Sequence, residues 1–154
     1  SDYESNIDAM MSEMDQFNLS DELSNNYRQL FKDVYAKAKY TVKDAEKMDG
    51  QDGYYVTVEI EQMTGLFNGI QEELMTEFTD WANSFDADTY PTEDEMYEQM
   101  YQMMYDLMKA RLDSITYNDP QEVVVEVTGQ DNVYSISDGS MSELDDALLD
   151  VATE

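Results

Sequence analysis

The apolar period of this chain changes from helical to strand-like and back, twice, and that alternation limits its folds more than any other feature. Ile7, Met10, Met11, Met14 and Phe17 recur at helical spacing and predict an amphipathic helix over residues 3–16. Asn18-Leu19-Ser20 interrupts it. Ser20 suits an N-cap, and Asp21 and Glu22 complement the dipole of a second helix. That helix carries Leu23, Tyr27, Leu30, Phe31, Val34, Tyr35 and Ala38 on one stripe and ends near Lys37. From Tyr40 the period falls to two. Tyr40 and Val42, then Tyr54, Val56, Val58 and Ile60 beyond a Gly/Asp loop at 48–53, predict an antiparallel hairpin with one buried face. Lysines of its first strand stand opposite glutamates of its second.

The same succession follows once more. Thr64 is placed to cap a third helix containing Leu66, Phe67, Ile70, Leu74, Phe78, Trp81 and Phe85. Residues 86–91 form a loop, and Thr92 with Glu95 makes a capping box for a fourth helix reaching Leu112 or Ser114. Asn118-Asp119-Pro120 breaks that helix. Residues 122–127 read as a strand, 129–132 as a turn and Val133 to Ser137 as the partner strand. Ser140 and Glu143 form a second capping box for a short helix with Leu144, Leu148 and Val151. Two hairpins give a four-stranded antiparallel sheet, and amphipathic helices must cover one of its faces. The expectation is a single α+β domain over residues 1–154, since no linker divides the chain.

Charge and composition then exclude whole classes of function. Eight Lys and Arg against 36 Asp and Glu leave a net charge of -28. Nucleic-acid binding needs cations to displace phosphate counterions, and an anionic membrane surface repels such a chain. Neither is a direct partner. From Met48 to Met108 there is no positive side chain, so part of the surface carries a dense negative field. Cysteine and histidine are both absent, which removes thiol nucleophiles, disulfides, His bases, Ser-His triads and the usual zinc sites. No stretch reaches the length of a transmembrane helix.

Few candidate sites remain. Asp86 and Asp88 open an acidic loop with the carboxylates that calcium prefers. Pro91 stands where an EF-hand needs glycine and Tyr97 where it needs an acid, so only a looser calcium site fits. Asp49 and Asp52 flank Gly50 in a hairpin turn that explains all three. Met96, Met100, Met103, Met104, Leu107, Met108 and Leu112 line one face of the fourth helix as core. Beside them Tyr97, Tyr101 and Tyr105 form a strip that either borders the sheet or, if exposed, meets a carbohydrate, a peptide or a second copy. Glu59, Glu61, Glu122 and Glu126 supply carboxylate pairs of the kind a glycoside hydrolase uses, though acids this numerous pair by chance. Trp81 reads as core.

Several segments together resemble a known group of proteins. These are 19–23, Tyr27-Arg28-Gln29-Leu30-Phe31-Lys32, 36–42, Gly53 to Ile60, 118–123 and 133–136. They resemble the extracytoplasmic domain of lipoproteins of uncharacterised function from Gram-positive gut Firmicutes. The resemblance implies a domain held at the cell surface by a lipid on an N-terminal cysteine outside these residues. A curved sheet packed on helices is also similar to cystatin-like and nuclear-transport-factor-like domains, an analogy of fold alone. The expected function is a non-catalytic cell-surface domain, not an enzyme and without a cofactor, that binds a protein, peptide or glycan at the envelope through the free sheet face or the Tyr/Met-rich fourth helix. Two alternatives stand beside it: a calcium-dependent adhesion or structural module, and a carboxylate-based hydrolase.

Overall fold

A computed structural model describes residues 2–150. Its elements run α1 (Asp2–Met14), α2 (Asp21–Ala36), β1 (Lys39–Lys47), β2 (Gly53–Glu61), β3 (Met63–Thr64), α3 (Ile70–Ala82), α4 (Glu93–Arg111), β4 (Thr116–Tyr117), β5 (Gln121–Gln130), β6 (Val133–Ile136) and α5 (Asp138–Leu148). The class is α+β, as the alternating period requires. The elements gather into two compact units that interleave along the chain. Residues 2–37 and 66–114 make a helical unit, and residues 38–65 and 115–150 make a sheet unit.

In the helical unit, α2 buries Leu23, Tyr27, Leu30 and Val34 of its stripe and half-covers Phe31 and Tyr35, and Ile7 and Met11 of α1 are buried as well. Ser20 caps α2 by accepting the Leu23 N–H, and its own N–H donates to Glu98 of α4 at 2.9 Å. Glu98 thereby ties the start of α2 to α4. The capping box at Thr92 and Glu95 is present in full, with acids in the first turn of α4 and Lys109 and Arg111 in its last. Arg111 bonds Glu73 at 2.8 Å, which sets the end of α4 beside the start of α3 and makes the pair antiparallel. Thr64 does not cap α3. It lies in β3, and α3 begins six residues later at Ile70, after Gly69 in the left-handed region at φ 68°. The chain must first leave the β3–β4 pair, a long-range pairing that local periodicity does not reveal.

The sheet unit is four antiparallel strands in the order β1-β2-β5-β6, with β3 and β4 as a separate two-stranded ribbon. The hairpins meet through β2 and β5, which set Val58 opposite Val123 and Val56 opposite Val125. On this face Val58, Ile60, Val125 and Ala147 form the buried core, with Val56, Val123, Val127, Ile136, Leu144 and Leu148 packed around them. The helix supplying Ala147, Leu144 and Leu148 is α5. The Gln62 amide donates to the Asp146 carbonyl at 2.8 Å, and the Asp150 N–H to the Met63 carbonyl at 2.8 Å. Asp131 and Asn132, at φ 54° and 66°, form the two-residue turn that matches the twist of a tight hairpin. A Cβ on Gly53 would stand 2.7 Å from the Val127 carbonyl oxygen, so glycine lets the turn close against β5.

Two expectations change here. The N-cap of α5 is Ser137, which accepts the Ser140 N–H, and Ser140 is a buried residue whose hydroxyl accepts the Glu126 N–H of β5 at 2.9 Å. Ser140 therefore joins helix to sheet. The hairpin also lacks one uniformly buried face, because every residue of β1 is exposed. Tyr40 and Val42 pair with Ile60 and Val58 and share their face, yet remain 63% and 60% exposed at the sheet edge. Val151 lies outside the described residues.

Candidate functional site

The carboxylate pairs come first, because catalysis by this chain would depend on them. The register sets Glu59 directly opposite Glu122 on the outer face of the sheet. Lys43 reaches into the pair, 2.7 Å from Glu59 and 3.9 Å from Glu122. The hydrogen bond and charge of Glu59 raise the Lys43 pKa and keep the ammonium charged. An acid/base dyad needs two carboxyl groups held at different protonation states in a shielded site. This pair is an exposed triad with a cation in it, and the strand pairing alone accounts for it. Glu126 stands opposite Tyr55, and Glu61 opposite Lys39.

The acidic turns are folded by their own hydrogen bonds. The Asp86 N–H donates to the Thr89 hydroxyl at 3.2 Å, and the Thr89 N–H to the Asp86 carbonyl at 3.0 Å. Asp86 and Asp88 are both exposed. Among the described residues no three acids converge in a way that would hold a metal ion. In the other turn Asp52 accepts the Tyr134 hydroxyl at 2.9 Å, and its carbonyl accepts the Gly129 N–H at 2.8 Å. Asp52 thus fastens the β1–β2 turn to the β5–β6 hairpin, and its bond raises the Tyr134 pKa.

The tyrosine strip of α4 turns inward. Tyr105 is buried, and Tyr97 and Tyr101 are half-buried. Phe17 packs on Tyr97 and Tyr101 with ring centroids 4.9 and 5.0 Å apart, and Tyr27 packs on Tyr105 at 5.6 Å. The Tyr27 hydroxyl donates to the Tyr101 carbonyl at 2.5 Å. Burial, with Tyr101 nearby, pushes the Tyr27 phenol far above its ordinary pKa. The strip seals α2 and the turn after α1, which carries Phe17, against α4, and of the methionine face only Met108 is fully buried. Trp81 is half-buried between Phe78 at 5.6 Å and Phe85 at 5.0 Å.

Grooves also mark the described surface. One of about 460 Å³ lies between β5 and α5, lined by Glu122, Val123, Glu143 and Asp146 among others. Nearby, burial and the Asp146 charge raise the Asp145 pKa. A second groove, of about 350 Å³, lies between α1 and α2, where Arg28 is held by Asp8 at 2.6 Å. Both are open to solvent.

The sequence pointed to a free sheet face as a contact surface, but it did not show which apolar side chains of the sheet stay exposed. Among the described residues, seven of nine exposed large hydrophobic side chains sit on the four strands of the sheet: Tyr40, Val42, Tyr54, Tyr55, Val124, Val133 and Tyr134. Tyr54 and Tyr134 lie on one face with centroids 6.2 Å apart, while Tyr55 and Val124 occupy the other with Glu59, Glu122 and Glu126. Alternation identified which residues share a face. It carried no signal of whether that face is covered.

No protein-family model matches the sequence, and comparison with the curated proteins finds no significant match. Among solved structures the chain is similar to a putative lipoprotein (ycdA) from Bacillus subtilis, with a TM-score of 0.57 and 14% sequence identity. The likeness covers 96% of this chain and 44% of that one, so the fold is shared while the chain spans less than half of the neighbour's length. Among the described residues no helix is long and apolar enough to cross a membrane.

Proposed function

We propose that this chain is a non-catalytic binding domain of a lipid-anchored protein on the outer surface of a Gram-positive cell, and that it contacts its partner through the open sheet. The observation that carries the reading is the exposed apolar side chains of the sheet, Tyr55, Val124 and Val133 on its outer face and Tyr40, Val42, Tyr54 and Tyr134 in the uncovered part of the face that packs on α5. Tyrosine and valine at such density, rimmed by acids, are the makings of a protein, peptide or glycan contact. The likeness in fold to a putative lipoprotein supports the surface location, as do the segments that resemble lipoproteins. Against catalysis stands the chemistry of the strand carboxylates, of which Glu59 and Glu122 share Lys43.

Two measurements on the full-length protein in its own cells test this. Labelling with an alkyne-bearing fatty acid should tag the protein, and protease added to intact cells should degrade it. A photo-crosslinking residue at Tyr40 or Val124 should trap a discrete adduct, while one at Asp113, exposed in the helical unit, should not. A protein found in the cytosol without lipid refutes the location. Absence of an adduct at every one of the seven sheet positions refutes the binding surface.

A further inference from the structure

The two sides of the sheet are finished differently. At one, β1 carries the guards that keep an edge from pairing: a bulge between Val42 and Ala45, and Lys39, Lys43 and Lys47 along its length. The other side is closed only in part. Strand β5 is ten residues long and β6 four, and they pair from Gln130 with Val133 to Val127 with Ile136. One residue further the ladder ends. There the Glu126 carbonyl accepts the Ser137 N–H, the Glu126 N–H donates to the Ser140 hydroxyl, and the chain turns into α5. Among the described residues, 121–125 of β5 have β2 on one side and no strand on the other.

Successive residues of a strand direct their N–H and C=O groups to opposite edges. Glu126 faces the side where β6 has ended, so Glu122 and Val124 face it too, while Val123 and Val125 turn to β2. Glu122 and Val124 thus each set one donor and one acceptor along the uncovered edge. No lysine and no bulge interrupts this stretch, and Val124 is 52% exposed. The groove of about 460 Å³ runs along it, with Glu122, Val123 and Val124 on one side and Glu143, Asp146 and Ala147 of α5 on the other.

A row of backbone donors and acceptors is met in full by another backbone in extended form, added as a strand where β6 stops. The groove also limits the side chains that such a strand brings. Every charged side chain lining it is an acid: Glu143 and Asp146 are exposed, and Glu122 stands 3.9 Å from Lys43. A second copy of a chain at -28 brings the wrong sign. We propose that the open half-edge of β5 takes an extended basic segment of another polypeptide, which pairs with the Glu122 and Val124 backbone as an added strand and sets Lys or Arg against Glu143 and Asp146. The backbone pairing holds the segment, and the acids select it by charge. The contact proposed above uses exposed side chains on the faces of the sheet, whereas this one uses its edge; only Val124 belongs to both.

Amide hydrogen exchange, read by NMR on the intact 154-residue protein, reports on this edge directly. In the free protein the Glu122 and Val124 amides should exchange fast beside the slow amides of Val123 and Val125. A synthetic Lys-Val-Lys-Val-Lys peptide, capped at both ends, should slow Glu122 and Val124 by about tenfold or more at saturation. The same peptide with its backbone amides N-methylated keeps charge and side chains but cannot pair, and should bind at least about tenfold more weakly. Glu143→Lys should weaken the unmethylated peptide by about tenfold. Asp49→Lys, the same charge change in the exposed turn at the far end of the sheet, should leave affinity within about twofold. Slow Glu122 and Val124 amides in the free protein, no slowing on addition of peptide, equal affinity for the methylated peptide, or equal effects of the two substitutions would each overturn the proposal. So would protection of these amides that grows with protein concentration alone, because the occupant would then be a second copy. Adducts in cells at Tyr40 or Tyr55 do not depend on these results, so either proposal can fail alone.

Discussion

Tyr27 shows how much of the helical unit one side chain holds. It is almost fully buried, touches Phe31, Tyr101 and Tyr105, and gives its hydroxyl proton to the Tyr101 carbonyl. Removing the ring leaves a large cavity and removing the hydroxyl deletes one hydrogen bond, so the two losses differ in size. Tyr27→Ala should cost about 3–5 kcal/mol in a urea melt. Tyr27→Phe should cost about 1 kcal/mol. The phenol also links stability to alkaline pH. Its pKa is raised in the folded state, so its contribution is intact below the ordinary tyrosine value of about 10 and is lost as pH rises above it. In a spectrophotometric titration of the twelve tyrosines, Tyr27 should ionise only as the protein unfolds. Ionisation of all twelve in one smooth step, with the fold intact, would contradict this packing.

At the scale of elements, the features readable in the sequence were those fixed by neighbours in the chain. Ser20 and the Thr92–Glu95 box cap the helices they were expected to cap, because capping is settled within four residues. The strand spans and the sign of the Lys43–Glu59 contact likewise follow from alternation and a short turn. Ser140 misled because a serine three residues before a glutamate fits a capping box on its own, and nothing local announces that β5 needs its hydroxyl. The distinction is measurable. Ser137→Ala should remove the cap of α5 and cost about 1 kcal/mol. Ser140→Ala should leave the part-buried Glu126 N–H without this partner and cost about 1–3 kcal/mol, the larger loss of the two. Equal losses in thermal melts would show that Ser140 acts only as part of the helix. The packing of the α4 tyrosine strip against other helices went unforeseen for a related reason. Periodicity groups residues by face, and only long-range packing decides which face is sealed.

For the whole molecule, charge and connectivity dominate. With 36 acids against eight bases, self-repulsion opposes compaction, and salt should relieve it. Calcium and magnesium chlorides at equal concentration should raise the melting temperature equally, since no three described acids converge. A rise of several degrees with calcium alone, reversed by chelator, would reveal a specific site and direct mutation to Asp86 and Asp88. A bound site saturated a hundredfold above its dissociation constant adds about 2.7 kcal/mol, which such a melt resolves. The interleaved units have a consequence for biosynthesis. When the ribosome has released residue 65, it has delivered less than half of each unit. The Val-rich β5 that completes the sheet follows some sixty residues after β2, so the first hairpin waits with its apolar face open. The helical unit closes only after α4 has emerged. No uninterrupted fragment of the gene encodes either unit, and deletion mapping would yield halves rather than modules. A nascent chain of this kind has to be kept from aggregation until almost its last helix is made.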